Sequence, residues 1–364
     1  MALYRTYRPK TFDEVIGQEH ITKTLENQIM NGHIGHAYLF TGTRGTGKTS
    51  IAKIFARAVN CLNPINGSPC GKCENCLKLQ KDNDINIIEM DAASNNKVDD
   101  IREIREKVKF MPVDVKYKVY IIDEVHMLTD SAFNALLKTL EEPPKHVIFI
   151  LATTEVHKLP QTILSRCVRF DFRLVSVKEL VNHLRKIFEL EKIGYDEESL
   201  KLIATAGEGS VRDTLSIADS IASYCQGKIT KEETLRILGT TDYSLNIEFF
   251  NHLKNREIGG VLELIDRMEK EGKNLAVFAK DVSKHARNLL VIKTCENANE
   301  ILNLPEDVFA LFKEQADAFN EKDLINYMQV FSSAENELRY TLSVRLLLET
   351  TCLTAMSGMD AKKN

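Results

Sequence analysis

The chain has 364 residues, 43% hydrophobic and 27% charged, with a formal net charge of −4. That length allows two or three domains with a sizeable core, and the composition is that of an ordinary globular protein, expected in the cytoplasm. No apolar run approaches the roughly 20 residues of a membrane span, the opening MALYRTYRPK has no signal-peptide apolar region, and the mild acidity argues against a strongly basic, free-standing nucleic-acid binder while allowing a local basic surface.

Ahead of the first strand, Tyr7-Arg8-Pro9 and Val15-Ile16-Gly17 stand where an adenine pocket could be built. Five short, near-continuous apolar runs at 36–41, 85–91, 118–123, 146–153 and 167–172 predict parallel strands covered on both faces. Helical spacing separates them. It runs through Ile51, Ile54, Phe55 and Ala58 in 50–60, through Val98, Ile101, Ile104 and Val108 in 98–109, and through Phe133, Leu136, Leu137 and Leu140 in 131–141. Pro143-Pro144 stops the last of these. The alternation predicts an α/β domain with a parallel five-stranded sheet over 1–172.

Strand signals then vanish. Helices at 177–191, 197–206, 211–224 and 231–238, split by Gly194, Gly207-Glu208-Gly209 and Gly227, predict a small helical lid domain over 173–240. Longer helices at 247–254, 259–271, 275–295, 305–319, 322–340 and 342–356 predict an all-helical domain over 241–364, with a polar tail at 357–364. The fold class is α/β plus all-α. There is no internal repeat and no long linker.

After the first strand the chain reads Gly42-Thr43-Arg44-Gly45-Thr46-Gly47-Lys48-Thr49-Ser50. A Gly-x-x-x-x-Gly-Lys-Thr segment between a strand and a helix is a phosphate-binding loop in the context it requires. Glycines let backbone N–H groups converge on phosphate oxygens, and the helix N-terminus adds partial positive charge. Lys48 is expected to reach the β- and γ-phosphates, and Thr49 to offer its hydroxyl to Mg²⁺. The third strand delivers Asp123 and Glu124 at its C-terminal end, where open α/β sheets bind ligands. Asp123 is expected in the Mg²⁺ shell and Glu124 to polarise an attacking water. ATP and Mg²⁺ are the cofactors implied.

Further positions carry two readings each. Thr154, ending the fourth strand, orients the water or senses phosphate loss, or else only caps the strand. Arg166, in Ser165-Arg166-Cys167, is an arginine finger for a neighbouring subunit's phosphate, or an ordinary surface arginine. Ser210 is a plausible N-cap with Asp213 as its capping-box partner. Arg212, in that first helical turn, reaches down onto the nucleotide or is solvated. His126 reads as structural.

Four cysteines, Cys61, Cys70, Cys73 and Cys76, fall between the first core helix and the second strand. In a reducing compartment such a cluster favours metal over disulfides. The spacing Cys-x8-Cys-x2-Cys-x2-Cys, with Pro69 and Gly71 for the tight turns, suits a closed tetrahedral and therefore structural Zn²⁺ site within 61–76. An iron–sulfur cluster or a redox pair are the alternatives, the latter disfavoured because two Cys-x-x-Cys units share Cys73. Cys167, Cys225, Cys295 and Cys352 read as small buried hydrophobes.

Taken in order, Tyr7–His20, Gly42–Thr49, the cysteine quartet, Asp123-Glu124-Val125-His126, Asn134–Pro144, Ser165-Arg166-Cys167 and Gly209–Asp213 resemble the gamma/tau subunits of bacterial DNA polymerase III, AAA+ clamp-loader ATPases. The resemblance is specific over 1–240 and weaker beyond. It implies a P-loop AAA+ core with a zinc insertion, a lid and a C-terminal collar domain. It implies further copies of the chain joined with delta and delta-prime subunits in a pentamer, which loads a sliding clamp onto primer–template DNA. The intact Gly47-Lys48-Thr49 separates the chain from delta-prime. Without a tau extension the chain matches a gamma-like product or a shortened one. The family also implies DNA phosphate contacts near the helix start at 94–105, with Lys97, Arg102 and Arg105 as candidates or else a solvated face. No acidic polymerase palm can be assigned, so polymerase or nucleotidyltransferase activity would belong to the holoenzyme. A branch-migration or helicase-type AAA+ motor is a competing reading, and a non-catalytic scaffold is another.

Overall fold

The computed structural model describes residues 2–80, 84–225, 227–238, 243–302, 304, 306–338, 341 and 343–357. The predicted helix ends at 305, 340 and 342, the domain boundary at 240 and most of the polar tail lie outside these. The chain folds as two compact units, Met1–Thr234 and Leu235–Asn364.

In the first unit α1 (Leu3–Thr6) and α2 (Glu19–Met30) precede β1 (Ala37–Thr41) and α3 (Lys48–Ala58). There follow α4 (Glu74–Lys78), β2 (Ile87–Asp91), α5 (Val98–Val108), β3 (Lys118–Asp123), α6 (Asp130–Glu141), β4 (Val147–Thr153), α7 (Gln161–Leu164) and β5 (Val168–Asp171). The five strands are parallel in the order β2-β3-β4-β1-β5, with registers such as Ala37 to Phe149 and Tyr38 to Val168. Every expected strand is present. β2 begins two residues late, where the Asn86 N–H donates to Asp84 Oδ1 at 2.7 Å and turns the chain.

Strand alternation sorts the core into two layers. Tyr38, Phe40, Ile121 and Ile150 pack with Ile21, Leu25, Ile51 and Phe55 of α2 and α3. Leu39, Tyr120, Ile122 and Phe149 pack with Ile101, Ile104, Phe133 and Leu136 of α5 and α6. Phe55 is wholly buried, a contribution of roughly 1.5–3 kcal/mol by area. The continuous apolar runs arise because both faces of the sheet are covered.

The region expected to form the lid carries α8 (Val177–Glu191), α9 (Glu197–Ala206) and α10 (Val211–Tyr224), and α11 (Lys231–Ile237) runs across the boundary between the two units. This region also holds a feature the sequence reading excluded, a parallel pair of two-residue strands, β6 (Gly194–Tyr195) and β7 (Lys228–Ile229). Two residues are too few to display an alternation, so periodicity missed them. Ser210 caps α10 as expected, its Oγ accepting the Asp213 N–H at 3.2 Å, but the Ser210 N–H donates to the Gly207 carbonyl at 2.8 Å instead of to Asp213, so the expected capping box does not close.

The second unit carries α12 (Tyr243–Asn255), α13 (Ile258–Lys270), α14 (Leu275–Thr294), α15 (Ala298–Leu302), α16 (Glu306–Asp317), α17 (Glu321–Glu337) and α18 (Val344–Ser357). Its core is aromatic: Phe249 meets Phe278 edge to face at 5.2 Å, and Phe250 meets Tyr327 at 5.9 Å. α13 starts one residue ahead of the predicted 259, with Gly259 and Gly260 inside it as expected. The short helix α15 is absent from the sequence reading.

Candidate functional site

β1 delivers the chain to the phosphate-binding loop at the C-terminal edge of the sheet, and α3 leaves it. Gly45 is required twice over. Its φ is +78°, and a Cβ there would stand 1.9 Å from Ser210 Oγ. The Gly45 carbonyl accepts from the backbone N–H groups of Val211 at 3.1 Å and Arg212 at 3.4 Å, fastening the lid helix to the loop. Lys48 is almost wholly buried. Its Nζ donates to the carbonyls of Gly42 at 2.7 Å and Thr43 at 2.8 Å. Burial lowers its pKa, opposed by the Glu124 and Asp123 carboxylates. An anionic ligand in the loop would act in the opposite sense to burial and favour the charged form.

Thr49 Oγ1 donates to Asp123 Oδ2 at 2.7 Å, so the two expected magnesium ligands already meet. Glu124 follows with φ +47°, which turns the chain out of β3. Its Oε2 accepts from Thr154 Oγ1 at 3.0 Å and from the Thr154 N–H at 3.3 Å. Thr154 therefore bonds the carboxylate directly. His126 is buried beside them, Nδ1 3.0 Å from Thr153 Oγ1 and Nε2 3.3 Å from Glu155.

A cavity of about 530 Å³ opens here, lined by Tyr7, Arg8, Val15, Ile16, the loop from Arg44 to Ser50, Asp123, Glu124 and Arg212. The predicted adenine-side and phosphate-side residues thus converge. Arg8 Nε donates to Ser50 Oγ at 3.1 Å, and the Tyr7 hydroxyl donates to Glu191 at 2.6 Å. The Arg212 guanidinium lies 5.4 Å from the Tyr4 ring. Tyr4, Glu14, His183 and Leu215 also line the cavity, and sequence reasoning missed them. Tyr4 stands just ahead of the Tyr7-Arg8-Pro9 segment, whereas His183 and Leu215 face the site only through the lid's packing. Burial lowers the His183 pKa.

Arg166 is not brought to this cavity. Its guanidinium pairs with Glu141 at 2.7 Å and donates to the Thr162 carbonyl at 2.8 Å. Lys97, the N-cap of α5, and Arg102 within it are exposed, and Arg105 is half-buried. Arg102 is paired with Asp99 at 2.9 Å.

The four cysteine sulfurs all lie within 4.8 Å of one another, Cys61 to Cys73 at 3.8 Å and Cys70 to Cys76 at 4.0 Å. A tetrahedron with bonds of about 2.3 Å has edges of about 3.8 Å, so the set fits a tetrathiolate Zn²⁺ site. The N–H groups of Cys70, Cys73 and Cys76 point at Cys61, Cys70 and Cys73 sulfurs at 3.3–3.4 Å. Such donors favour thiolates. Burial resists ionisation at Cys73, but these donors and neighbouring thiols bring it down to about 6, while burial pushes Cys76 up.

A family profile described as DNA polymerase III, delta subunit, matches residues 17–176. A profile for the DNA polymerase III clamp loader subunit ATPase lid domain matches 179–227, and one for domain III of DNA polymerase III subunits gamma and tau matches 229–363. The DNA polymerase III subunit gamma of Buchnera aphidicola is 34% identical over 96% of this chain and 95% of its own. The subunit tau of Bacillus subtilis is 43% identical over 96% of this chain, and the subunit gamma/tau of Mycobacterium tuberculosis (strain H37Rv) 40% identical over 100%. The chain spans only 62% and 64% of those two relatives. Among solved structures, a Thermotoga maritima RuvB mutant superposes with TM-score 0.51 at 22% identity, over 65% of this chain and 73% of that one, a likeness of fold alone.

Proposed function

Because the chain belongs to the gamma/tau family of DNA polymerase III clamp-loader subunits, we propose that it is an ATP-driven motor subunit of a clamp loader, working in the cytoplasm. The observation that carries this is the meeting of four distant segments, 7–16, 44–50, 123–124 and 211–212, around one cavity of about 530 Å³. Backbone N–H groups of the loop bind phosphate, and Lys48 trades its two loop carbonyls for phosphate oxygens. Thr49 and Asp123 hold Mg²⁺, which neutralises developing phosphate charge when bound. Glu124 accepts a proton from the attacking water, and Thr154 sets that carboxylate's position. Tyr7, Arg8, Val15 and Ile16 form the base-side wall, and Arg212 reaches down onto the nucleotide from the first turn of α10. Arg166 serves a neighbouring copy's site. Cys61, Cys70, Cys73 and Cys76 hold a structural Zn²⁺.

The partners are further copies of the chain, delta and delta-prime subunits, a ring-shaped sliding clamp and primer–template DNA. Lys97, Arg102 and Arg105 meet DNA phosphates. The boundaries 1–172, 173–240 and 241–364 mark core, lid and collar. Lys48→Ala is expected to abolish nucleotide binding, measured by titration. Arg166→Ala is expected to spare binding and block DNA-stimulated hydrolysis in the assembled complex. Normal stimulated turnover in the Arg166 variant removes the trans role. Failure to retain a clamp with a non-hydrolysable ATP analogue removes the clamp-loading role.

A further inference from the structure

Among the described residues no hydrogen bond joins the cysteine module to a residue expected to act on phosphate, yet it is fastened to the segment that walls the cavity on the base side. Its base is fixed to the sheet. Asn75 Nδ2 donates to the Asn60 carbonyl at 2.9 Å, and buried Asn60 bonds the Tyr117 carbonyl at 2.9 Å and the Tyr117 N–H at 2.7 Å. Above that base, Ile65 and Ser68 exchange backbone hydrogen bonds of 2.9 and 2.8 Å across a tight turn. Its tip is wedged at α2, where a Cβ on Gly67 would stand 2.7 Å from the Glu26 backbone. Cys61 and Cys70 bracket this turn.

Ser68 is 4% exposed. Its Oγ accepts the Phe12 N–H at 3.0 Å. Arg57 Nη2 donates to the Lys10 carbonyl at 2.9 Å. The same arginine shares a cavity of about 250 Å³ with Cys70, Cys76, Thr11 and Glu14. Among the described residues, these are the hydrogen bonds that tie 10–14 to the rest of the fold. Arg8, Pro9, Glu14, Val15 and Ile16, on either side of the two anchors, line the nucleotide cavity.

We propose that the cysteine module, closed by its metal, is the mount for the base-side wall of the nucleotide cavity, with Ser68 and Arg57 as the positioning residues. The proposal rests on the nucleotide-binding reading above and on the tetrathiolate fit. Closing Cys61, Cys70, Cys73 and Cys76 on one ion fixes the turn that carries Ser68. Opening them frees that turn, and the main chain at Phe12 loses its anchor. The wall meets the base rather than the phosphates. Metal therefore sets affinity for the adenine nucleotide and leaves the chemical step alone.

The test uses the full chain in three forms: metal-loaded wild type, chelator-stripped wild type, and metal-loaded Ser68→Ala. Titration with a fluorescent adenine nucleotide is paired with amide hydrogen exchange over 8–16. Inorganic tripolyphosphate serves as a ligand lacking a base. Ser68→Ala is expected to keep its metal and its kcat, to weaken adenine nucleotide binding by about three- to tenfold, the worth of one buried hydrogen bond, to exchange faster over 8–16, and to bind tripolyphosphate as wild type does. The stripped chain is expected to lose at least as much affinity. Wild-type nucleotide affinity in either altered form overturns the proposal, as does an equal loss for tripolyphosphate. No nucleotide binding by the metal-loaded wild type overturns the functional reading itself, and this proposal with it.

Discussion

Glu124 shows how one residue can be held ready. It occupies a left-handed backbone conformation at φ +47°, which costs a side-chain-bearing residue about 1–3 kcal/mol. Its carboxylate is then gripped by the hydroxyl and N–H of Thr154. On the proposed chemistry, Glu124→Gln should retain nucleotide binding and lose about 10²–10⁴ in hydrolysis rate, the range for a general base. Thr154→Val removes one of two bonds to that carboxylate. It should slow hydrolysis by about two- to tenfold at unchanged nucleotide affinity. A Thr154→Val chain turning over at the wild-type rate would return Thr154 to a strand cap. His126 is consistent with the structural role expected of it, its ring bridging Thr153 and Glu155.

At the scale of an element, α14 of the second unit carries a buried titratable group. His285 Nε2 lies 2.7 Å from Gln315 Oε1. The Gln315 amide nitrogen already donates to the Ile247 carbonyl and to Asn251 Oδ1. Its oxygen must therefore accept, so the histidine proton sits on Nε2, and Nδ1 has no partner among the described residues. Burial lowers the His285 pKa to about 4. The unfolded imidazole binds its proton near pH 6.5 and the folded one only near 4, so stability is present above the unfolded value and lost as pH falls between the two. The loss is on the order of 3 kcal/mol. Thermal unfolding of the second unit should show this fall, and His285→Phe should flatten it. An unchanged acid slope in the variant assigns the effect elsewhere.

That histidine was not legible in the sequence, because nothing local marks a partner thirty residues away. The strands were legible because each face of the sheet buries every second residue, leaving unbroken apolar runs. The loop and cysteine quartet were legible because their chemistry needs fixed spacing. The β6–β7 pair escaped for want of length, and His183 because only the packing of α8 turns it toward the cavity. Ser68, between Cys61 and Cys70, reads as an ordinary turn serine until Phe12 is placed beside it.

At the scale of the whole molecule, the chain presents two compact units and matches its relatives across both. The proposed assembly then depends on charges that leave one copy to serve another. Arg166 is already satisfied within its own chain by Glu141. A half-exposed pair of this kind is worth about 0–1 kcal/mol, so changing partner is nearly free. Glu141→Gln should therefore leave ATP-dependent assembly intact and raise the fraction of complex that persists in ADP, read by size-exclusion chromatography. Equal dissociation of variant and wild type in ADP would deny Glu141 this part. On the proposed trans role, Glu141 is a parking place for Arg166: it holds the guanidinium in a defined pose while a neighbour's site is empty, and at this small cost the arginine leaves it without a strong bond being broken.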